Sequence, residues 1–128
     1  MIERFSSGGP YEDVIGYSRV VRADDLFVVA GCTAIIDGEL VGIGDAHRQA
    51  LTAFEVGLDA LTRAGCPREQ VIQTRMYITD RANADAVGRA HSELFDVIRP
   101  VTAMIVVAGF IDERMLVEVE LVGFGGSP

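Results

Sequence analysis

The residues with the clearest chemical potential lie near the end of the chain, where two carboxylates stand two positions apart. Between Val117 and Leu121, apolar residues alternate with Glu118 and Glu120. Because side chains on a strand alternate faces, both carboxylates would point to one side and the apolar residues to the other. Such a pair either keeps a sheet surface soluble, the common case for exposed glutamate, or lines a polar pocket. The elements around this strand decide between the two.

The composition is that of a globular protein without lysine. The chain has 128 residues, 49% of them hydrophobic and 23% charged, which predicts one domain spanning residues 1–128. Its 11 basic residues are all arginine and are outnumbered by 19 acidic residues, for a formal charge of −8. Nucleic-acid binders usually carry a basic surface. The charge therefore argues against DNA or RNA as a partner.

Targeting and metal-binding patterns are absent from the sequence. No apolar run approaches the roughly 20 residues that a membrane span needs, and the first ten residues lack the basic start and apolar core of a signal peptide. We therefore expect a cytoplasmic protein without a membrane partner. Cys32 and Cys66 have no CxxC spacing and are predicted to be free, buried thiols. With His47 and His91 they form no metal-ligand pattern, so neither a metal nor a cofactor is predicted.

The strand pattern predicts a sheet built from both halves of the chain. Residues 16–43 are predicted to form a β-meander, in which Asp37-Gly38 makes a tight hairpin turn. Further strands are predicted at residues 71–79, 102–108 and 115–122, the last two joined by a polar turn at residues 112–114. Residues 1–13, rich in serine, glycine and proline, are predicted to be a loop or a loosely attached N-terminal arm.

Apolar residues at three- and four-residue spacing predict two amphipathic helices. The first is capped by Asp45 and ends at Gly65, and Gly57 in its apolar stripe allows a close approach to the sheet. The second begins after Asn83 and stops before Pro100. The order β-meander, α, β, α, β, β implies an α+β sandwich, in which one mixed sheet carries both helices on a single face.

This layout leaves the other sheet face uncovered. Glu118 and Glu120 would lie on it beside valine, threonine and methionine neighbours. A half-apolar sheet face larger than a few hundred Å² is seldom left in water. We therefore expect copies of the chain to associate through this face and to enclose a cleft.

Five segments match, in order, the motifs of one known family. Residues 16–18 (GYS) are similar to a GPYS start, residues 29–32 (VAGC) to a VSGQ strand end, residues 71–80 to a VVKVTVYLTD strand, Arg99-Pro100 to an RP-A-R motif and residues 117–121 to an IEIEA ending. In this register the chain resembles the RidA/YjgF family, also called L-PSP endoribonuclease or UK114-like, from about Gly16 to Gly123. The resemblance implies a chorismate-mutase-like fold and a homotrimer with clefts at the subunit interfaces.

The resemblance also implies an activity, which is the hydrolysis of reactive 2-imino or 2-enamino acids to 2-keto acids and ammonia. The water-orienting glutamate of the family falls on Glu118, its site tyrosine on Tyr17 and its glycine on Gly31. An arginine of the RP-A-R motif would pair with the substrate carboxylate, because a guanidinium binds a carboxylate through two parallel hydrogen bonds. At that position this chain has Thr102.

Two further positions depart from the family pattern, since Ala30 stands for the serine of VSGQ and Gly88 for an asparagine of the second helix. Arg19 beside Tyr17 and Arg75 in mid-strand are candidates to replace the arginine, although Arg75 could instead pair with Glu118 or Glu120. His91, on the inner stripe of the second helix, is either a core histidine or an acid or base. Cys32 at the cleft mouth is a candidate nucleophile for which no base partner is visible. Two functions stay open. The protein is a hydrolase, founding or retargeted, or it is a non-catalytic, regulatory trimer that binds a metabolite or a protein partner through the same clefts.

Overall fold

The computed structural model describes residues 1–125. Its strands and α-helices are β1 (Ile2–Phe5), β2 (Val20–Ala23), β3 (Leu26–Cys32), β4 (Ile35–Ile36), β5 (Glu39–Leu40), α1 (Ala46–Ala64), β6 (Val71–Ile78), α2 (Ala84–Phe95), β7 (Val101–Val106) and β8 (Val117–Phe124). Six of the strands form one sheet of order β1-β2-β3-β8-β6-β7, in which all neighbours are antiparallel except β6 and β7, which run parallel. The predicted α+β architecture, a mixed sheet with two helices on one face, is confirmed.

The local signals around the hairpin and the first helix are also confirmed. Asp37 and Gly38 join β4 to β5 and have φ angles of 51° and 81°, as a tight two-residue hairpin turn requires. The side chain of Asp45 caps α1 by accepting a hydrogen bond from the amide of Arg48 at 3.0 Å. Gly65 ends the helix with a φ of 110°, a conformation that glycine adopts at little cost.

The core lies between the sheet and the two helices, and glycine sets the distance between its layers. Phe54, Leu58 and Leu61 of α1 are fully buried against the sheet. A Cβ atom on Gly57 would lie 2.5 Å from Cδ1 of Leu121 on β8, closer than two carbon atoms can approach. The predicted role of Gly57 in close helix–sheet packing is therefore confirmed.

The prediction of a loop or arm over residues 1–13 is wrong for its first part. Ile2–Phe5 forms β1 and pairs antiparallel with β2, from Ile2 opposite Ala23 to Phe5 opposite Val20. Phe5 packs against the core. A four-residue strand beside a run of serine and glycine is too short to be recognised by its alternation, and its pairing with β2 is what forms it.

The start of the second helix differs from the prediction in its cap. Asn83 stands at the N-cap position of α2 but makes no side-chain capping bond. Instead, the side chain of Asp80 accepts a hydrogen bond from the amide of Ala82 at 2.8 Å, and a single 3₁₀ turn, Arg81–Asn83, leads directly into α2. The preceding turn therefore supplies the capping that the sequence assigned to Asn83.

One face of the sheet, here called the open face, carries no helix and exposes apolar side chains. Val28, Ile72 and Phe124 are between 45% and 48% exposed on it. On edge strand β7, Val101 is 68% exposed. The threonine and methionine neighbours expected on this face are on the other one, because β7 pairs in parallel register with β6 and aligns with buried Thr74 and Met76. Within residues 1–125, the helices are too short or too polar to cross a bilayer.

Candidate functional site

Glu118 lies on the open face, half-buried, with its carboxylate against the backbone of β3. A Cβ atom placed on Gly31 would be 2.8 Å from Oε2 of Glu118, so the absence of a side chain at Gly31 is what makes room for the carboxylate. Glu120 lies two residues further along the same face of β8. Its carboxylate accepts a hydrogen bond from the hydroxyl of Tyr77, which stands opposite Glu118 on β6.

A β-bulge in β3 shapes the surroundings of Glu118. The pairing of β3 with β8 shifts register between Val29 and Cys32, which leaves the carbonyl groups of Ala30 and Gly31 outside the regular ladder. Arg19 satisfies both, because its Nη1 lies 2.7 Å from the oxygen of Gly31 and 3.3 Å from that of Ala30. The guanidinium group therefore holds the bulge in place.

The same arginine connects the bulge to Tyr17. Nη2 of Arg19 lies 3.3 Å from the Tyr17 hydroxyl oxygen, and the guanidinium carbon lies 5.6 Å from the centre of the tyrosine ring, within the range of a cation–π contact. Arg19, Tyr17 and Gly31 are thus brought together with Glu118 and Glu120. These five residues are called the carboxylate cluster below.

The cluster changes the acidity of Glu118. Burial raises the pKa of its carboxyl above the usual 4.5, the negative charge of Glu120 raises it further, and the positive charge of Arg19 only partly offsets both. A carboxylate whose pKa is shifted toward neutral pH accepts a proton from water more readily than an ordinary surface glutamate. Such a group suits general-base catalysis.

The N-terminal loop supports the cluster through Glu12, a buried residue that sequence reasoning missed. Its carboxylate accepts hydrogen bonds from the Ser7 hydroxyl, from the Ser6 hydroxyl at 2.7 Å and from the amides of Ser7 and Gly9 at 3.2 and 3.1 Å. Burial alone would raise the pKa of this carboxyl, but these hydrogen bonds outweigh it and lower the pKa. The carbonyl of Glu12 accepts a hydrogen bond from the Tyr17 amide at 2.9 Å. This bond fixes the position of Tyr17 at the end of the loop.

Arg75 lies on the open face but outside the carboxylate cluster. It is exposed, stands opposite Glu120 in the β6–β8 register and borders a shallow hollow of about 240 Å³ shared with Gln73 and Val122. Its neighbour Tyr77 has its pKa raised, first by the hydrogen bond to Glu120 and then by burial. Sequence reasoning missed Tyr77, although two-residue alternation from Arg75 would have placed it on this face.

Thr102 and His91 form a separate group on the opposite face of the sheet. Thr74 Oγ1 lies 2.8 Å from Thr102 Oγ1 and 2.7 Å from Nε2 of His91. Thr74 is fully buried beneath the helices and pairs with Leu121, whose side chain meets α1. Within one chain the sheet therefore separates these two predicted binding residues from Glu118.

The expectation that Cys32 lies at a cleft mouth is wrong. Its side chain is 3% exposed and lies next to Gly57 of α1, because the bulge places Cys32 opposite Val119 on the helix-covered face. The thiol donates to the carbonyl of Ala30 at 3.2 Å, and burial raises its pKa. A buried, protonated thiol does not act as a nucleophile. Across residues 1–125, no group of three or more His, Cys, Asp or Glu side chains is placed to bind a metal ion.

Comparison with known proteins gives relatives that cover nearly the whole chain. An uncharacterized protein of Streptomyces coelicolor is 44% identical over 126 residues, which are 98% of this chain and 94% of that protein. A Mycobacterium tuberculosis member of the YjgF/YER057c/UK114 family is 37% identical, with a TM-score of 0.87 over 97% of this chain and 99% of that one. A Rid-family protein of unknown function from Yersinia pestis, with 20% identity and a TM-score of 0.85 over 97% of this chain and 99% of that one, shares the fold.

The family indicated by the sequence motifs is confirmed by a family model. The model described as endoribonuclease L-PSP matches residues 11–124, a segment that runs from the turn before Tyr17 to the end of β8. Together with the relatives, this match shows that the chain belongs to the endoribonuclease L-PSP family, the same family that is called YjgF/YER057c/UK114 and Rid.

Proposed function

We propose that this protein is a small-molecule hydrolase that acts on reactive imine or enamine intermediates. The observation that carries the proposal is the Glu118 carboxylate, which is half-buried on the open face, has a raised pKa and rests against Gly31. In the proposed reaction Glu118 accepts a proton from a water molecule as the water oxygen attacks the C=N carbon. The proton then passes to nitrogen, which gives a carbinolamine. The hydroxyl proton of the carbinolamine is passed to nitrogen by the same carboxylate, the C–N bond breaks as the C=O bond forms, and a ketone and ammonia leave.

Tyr17 and Arg19 have complementary parts in this scheme. The Tyr17 hydroxyl oxygen accepts a hydrogen bond from Nη2 of Arg19, so its own proton is free to donate to the substrate. Arg19 holds the carbonyl groups of Ala30 and Gly31, which keeps the bulge and the Glu118 carboxylate in one geometry. Preorganisation of this kind is how an enzyme lowers the cost of positioning a water molecule.

We also propose that the working form is a homotrimer, with one cleft at each subunit interface. The apolar side chains exposed on the open face and along β7 support this assembly, since exposed apolar patches of this kind commonly mark interfaces. Light scattering on the purified protein should give three times the mass of one chain. A stable monomer at micromolar concentration would contradict the assembly and leave the cluster open to water.

The hydrolase is tested by generating 2-aminoacrylate or 2-iminopropionate in solution and measuring ammonia release. The wild type should release ammonia faster than buffer, and Glu118→Ala should not. Because Thr102 stands where the family motif has an arginine, an imine without a carboxylate belongs in the same panel. Rates no higher than in buffer for every member of the panel would refute the hydrolase.

The second candidate is a non-catalytic protein that binds a metabolite in the same clefts. Thr102 favours it, because at the motif arginine this chain offers a hydroxyl group already hydrogen-bonded to Thr74 instead of a charge that could hold an anionic substrate. A binder would be stabilised against heat by a ligand that is recovered unchanged. Chemical conversion of every stabilising ligand would count against it.

The family description names an endoribonuclease, but the charge of this chain favours a small molecule over RNA. The formal charge is −8, and lysine is absent from the sequence. Much of the affinity of RNA-binding proteins comes from neutralising phosphates with basic side chains. RNA cleavage that survives repurification and is lost in Glu118→Ala would overturn this preference.

A further inference from the structure

The hollow beside Arg75 lies over two rows of residues that cross the middle of the open face. In the first row Arg75 on β6 stands opposite Glu120 on β8, and in the second Gln73 stands opposite Val122. Val28 on β3 continues the second row, because it pairs with Val122. These side chains line a volume of about 240 Å³. Pockets for drug-sized ligands measure roughly 300–1,000 Å³, so this hollow suits a smaller molecule.

The charge of Arg75 is not used within the chain. Within residues 1–125, the ion pairs join other residues and none includes Arg75. Glu120, although directly opposite, accepts a hydrogen bond from the Tyr77 hydroxyl. On the other side of Arg75, β7 places Ala103, whose side chain is too short to cover a guanidinium. The exposed guanidinium is therefore available to an anion that enters the hollow.

Glu120 offers the opposite charge at the same place. Tyr77 contacts only Oε1 of its carboxylate, and an ionised carboxylate has about four sites that accept hydrogen bonds. Directly opposite residues of an antiparallel pair have Cβ atoms about 5 Å apart, so the charges of Arg75 and Glu120 face one hollow. A molecule with a single charge is attracted by one of these residues and repelled by the other. A zwitterion is attracted by both.

The rest of the lining indicates which zwitterion fits. Val28 and Val122 give the hollow an apolar wall, and the carboxamide of Gln73 lies on the same strand as Arg75, two residues away. An α-amino acid carries a carboxylate, an ammonium and a side chain on one carbon atom. An aliphatic side chain gains free energy by leaving water for the valine wall, whereas a polar side chain would lose hydration there.

We propose that this hollow binds a small aliphatic α-amino acid as its zwitterion, with the carboxylate on Arg75, the ammonium on Glu120 and the side chain against the two valines. A guanidinium suits the first contact, because it binds a carboxylate through two parallel hydrogen bonds. The site is separate from Glu118, which lies two residues along β8 against Gly31. The inference does not depend on the hydrolase, since it concerns binding and no turnover.

Calorimetric titration of the intact protein with L-valine and two analogues tests the need for both charges. L-Valinamide keeps the ammonium but has no carboxylate, and 3-methylbutanoate keeps the carboxylate but has no ammonium. The wild type should bind valine at least about tenfold more tightly than either analogue, the scale of one charge-assisted hydrogen bond. Equal or tighter binding of either analogue would overturn the inference, and so would the absence of binding heat with valine at millimolar concentration.

Two variants assign the charges to their residues. Arg75→Gln should weaken valine binding about tenfold to a hundredfold without weakening that of valinamide. Glu120→Gln should weaken valine binding on the same scale without weakening that of 3-methylbutanoate. General loosening of the sheet would instead lower all three affinities together. Unchanged valine affinity in either variant would overturn the inference.

The controls separate binding from folding and from the proposed activity. Arg89→Gln removes an exposed arginine of α2, on the other side of the sheet, and should keep the wild-type affinity for valine. Thermal unfolding is recorded for every variant, and Arg75→Lys, which keeps the charge but not the paired donors, should bind valine more tightly than Arg75→Gln. If valine binds as expected but no imine is hydrolysed, the hydrolase fails and the amino-acid site stands. If imines are hydrolysed but valine does not bind, the hydrolase stands and the amino-acid site fails.

Discussion

Replacing Gly31 with alanine separates the folding of this protein from the geometry of its proposed site. The new Cβ atom would lie 2.8 Å from Oε2 and 2.9 Å from Cδ of Glu118, whereas ordinary contacts begin at 3.4 Å. The carboxylate must therefore move by about 0.6 Å. Gly31 is not among the residues with positive φ, so alanine fits the backbone, and the flexible glutamate can yield. We expect the free energy of unfolding to change by less than about 1 kcal/mol.

Activity should respond much more strongly than stability. A displacement of this size in a group that must orient water costs on the order of tenfold in rate, since a shift of about 1 Å can cost roughly a hundredfold. The assay measures kcat/KM for ammonia release from an imine generated in solution, with thermal unfolding recorded on the same preparations. Gly109→Ala is the matched control, because a Cβ atom there meets nothing within 4 Å. A Gly31→Ala protein as active as the wild type would refute the assignment of Glu118 as the general base. A loss of activity no larger than that of Gly109→Ala would refute it as well.

Three further predictions concern stability. Glu12→Gln should lower the free energy of unfolding by about 1–3 kcal/mol at neutral pH. Hydrogen bonds lower the pKa of Glu12, so urea titrations should show this difference between wild type and variant above pH 4.5 and its loss as the pH falls through the folded-state pKa. A difference that does not change with pH would contradict the prediction. Gly57→Ala should destabilise by about 1–3 kcal/mol despite the higher helix propensity of alanine, since Cβ would lie 2.5 Å from Leu121 Cδ1; an unchanged Tm would refute the tight packing. Glu118→Gln should raise the Tm at pH 7, because burial and then Glu120 raise the pKa of Glu118 and the ionised carboxylate therefore destabilises the fold. This gain in Tm should vanish toward pH 4.5. An unchanged Tm at pH 7 would contradict the raised pKa.

Local patterns predicted the parts of the fold that depend on neighbouring residues. The alternation around Glu118 placed both carboxylates on one face of β8. The extent and the buried face of α1 were predicted from three local signals, which are the cap at Asp45, the terminating residue Gly65 and the apolar stripe containing Gly57. Each of these signals arises from the geometry of a single strand or helix. The motif order then identified the family, because its segments lie in register over one domain.

Features that depend on pairing between distant segments were not accessible in the same way. The bulge at Ala30 and Gly31 changes the face of Cys32, and it exists only because β3 pairs with β8. Likewise, β7 lies beside β6 and not beside β8, which puts Thr102 at the sheet edge on the helix-bearing face, where it contacts Thr74. The role of Glu12 depends on a loop that closes around its carboxylate, and no periodic pattern marks such a loop.

The most direct test of the central claim compares the two carboxylates of the open face in one assay. Glu118 and Glu120 lie two residues apart on β8, but only Glu118 rests against Gly31, and Glu120 accepts a hydrogen bond from Tyr77. Ammonia release from an imine is measured for wild type, Glu118→Gln and Glu120→Gln at equal concentration of folded protein. Glu118→Gln should fall to the rate in buffer, while Glu120→Gln keeps its rate within about tenfold of the wild type. Wild-type turnover by Glu118→Gln would contradict the claim.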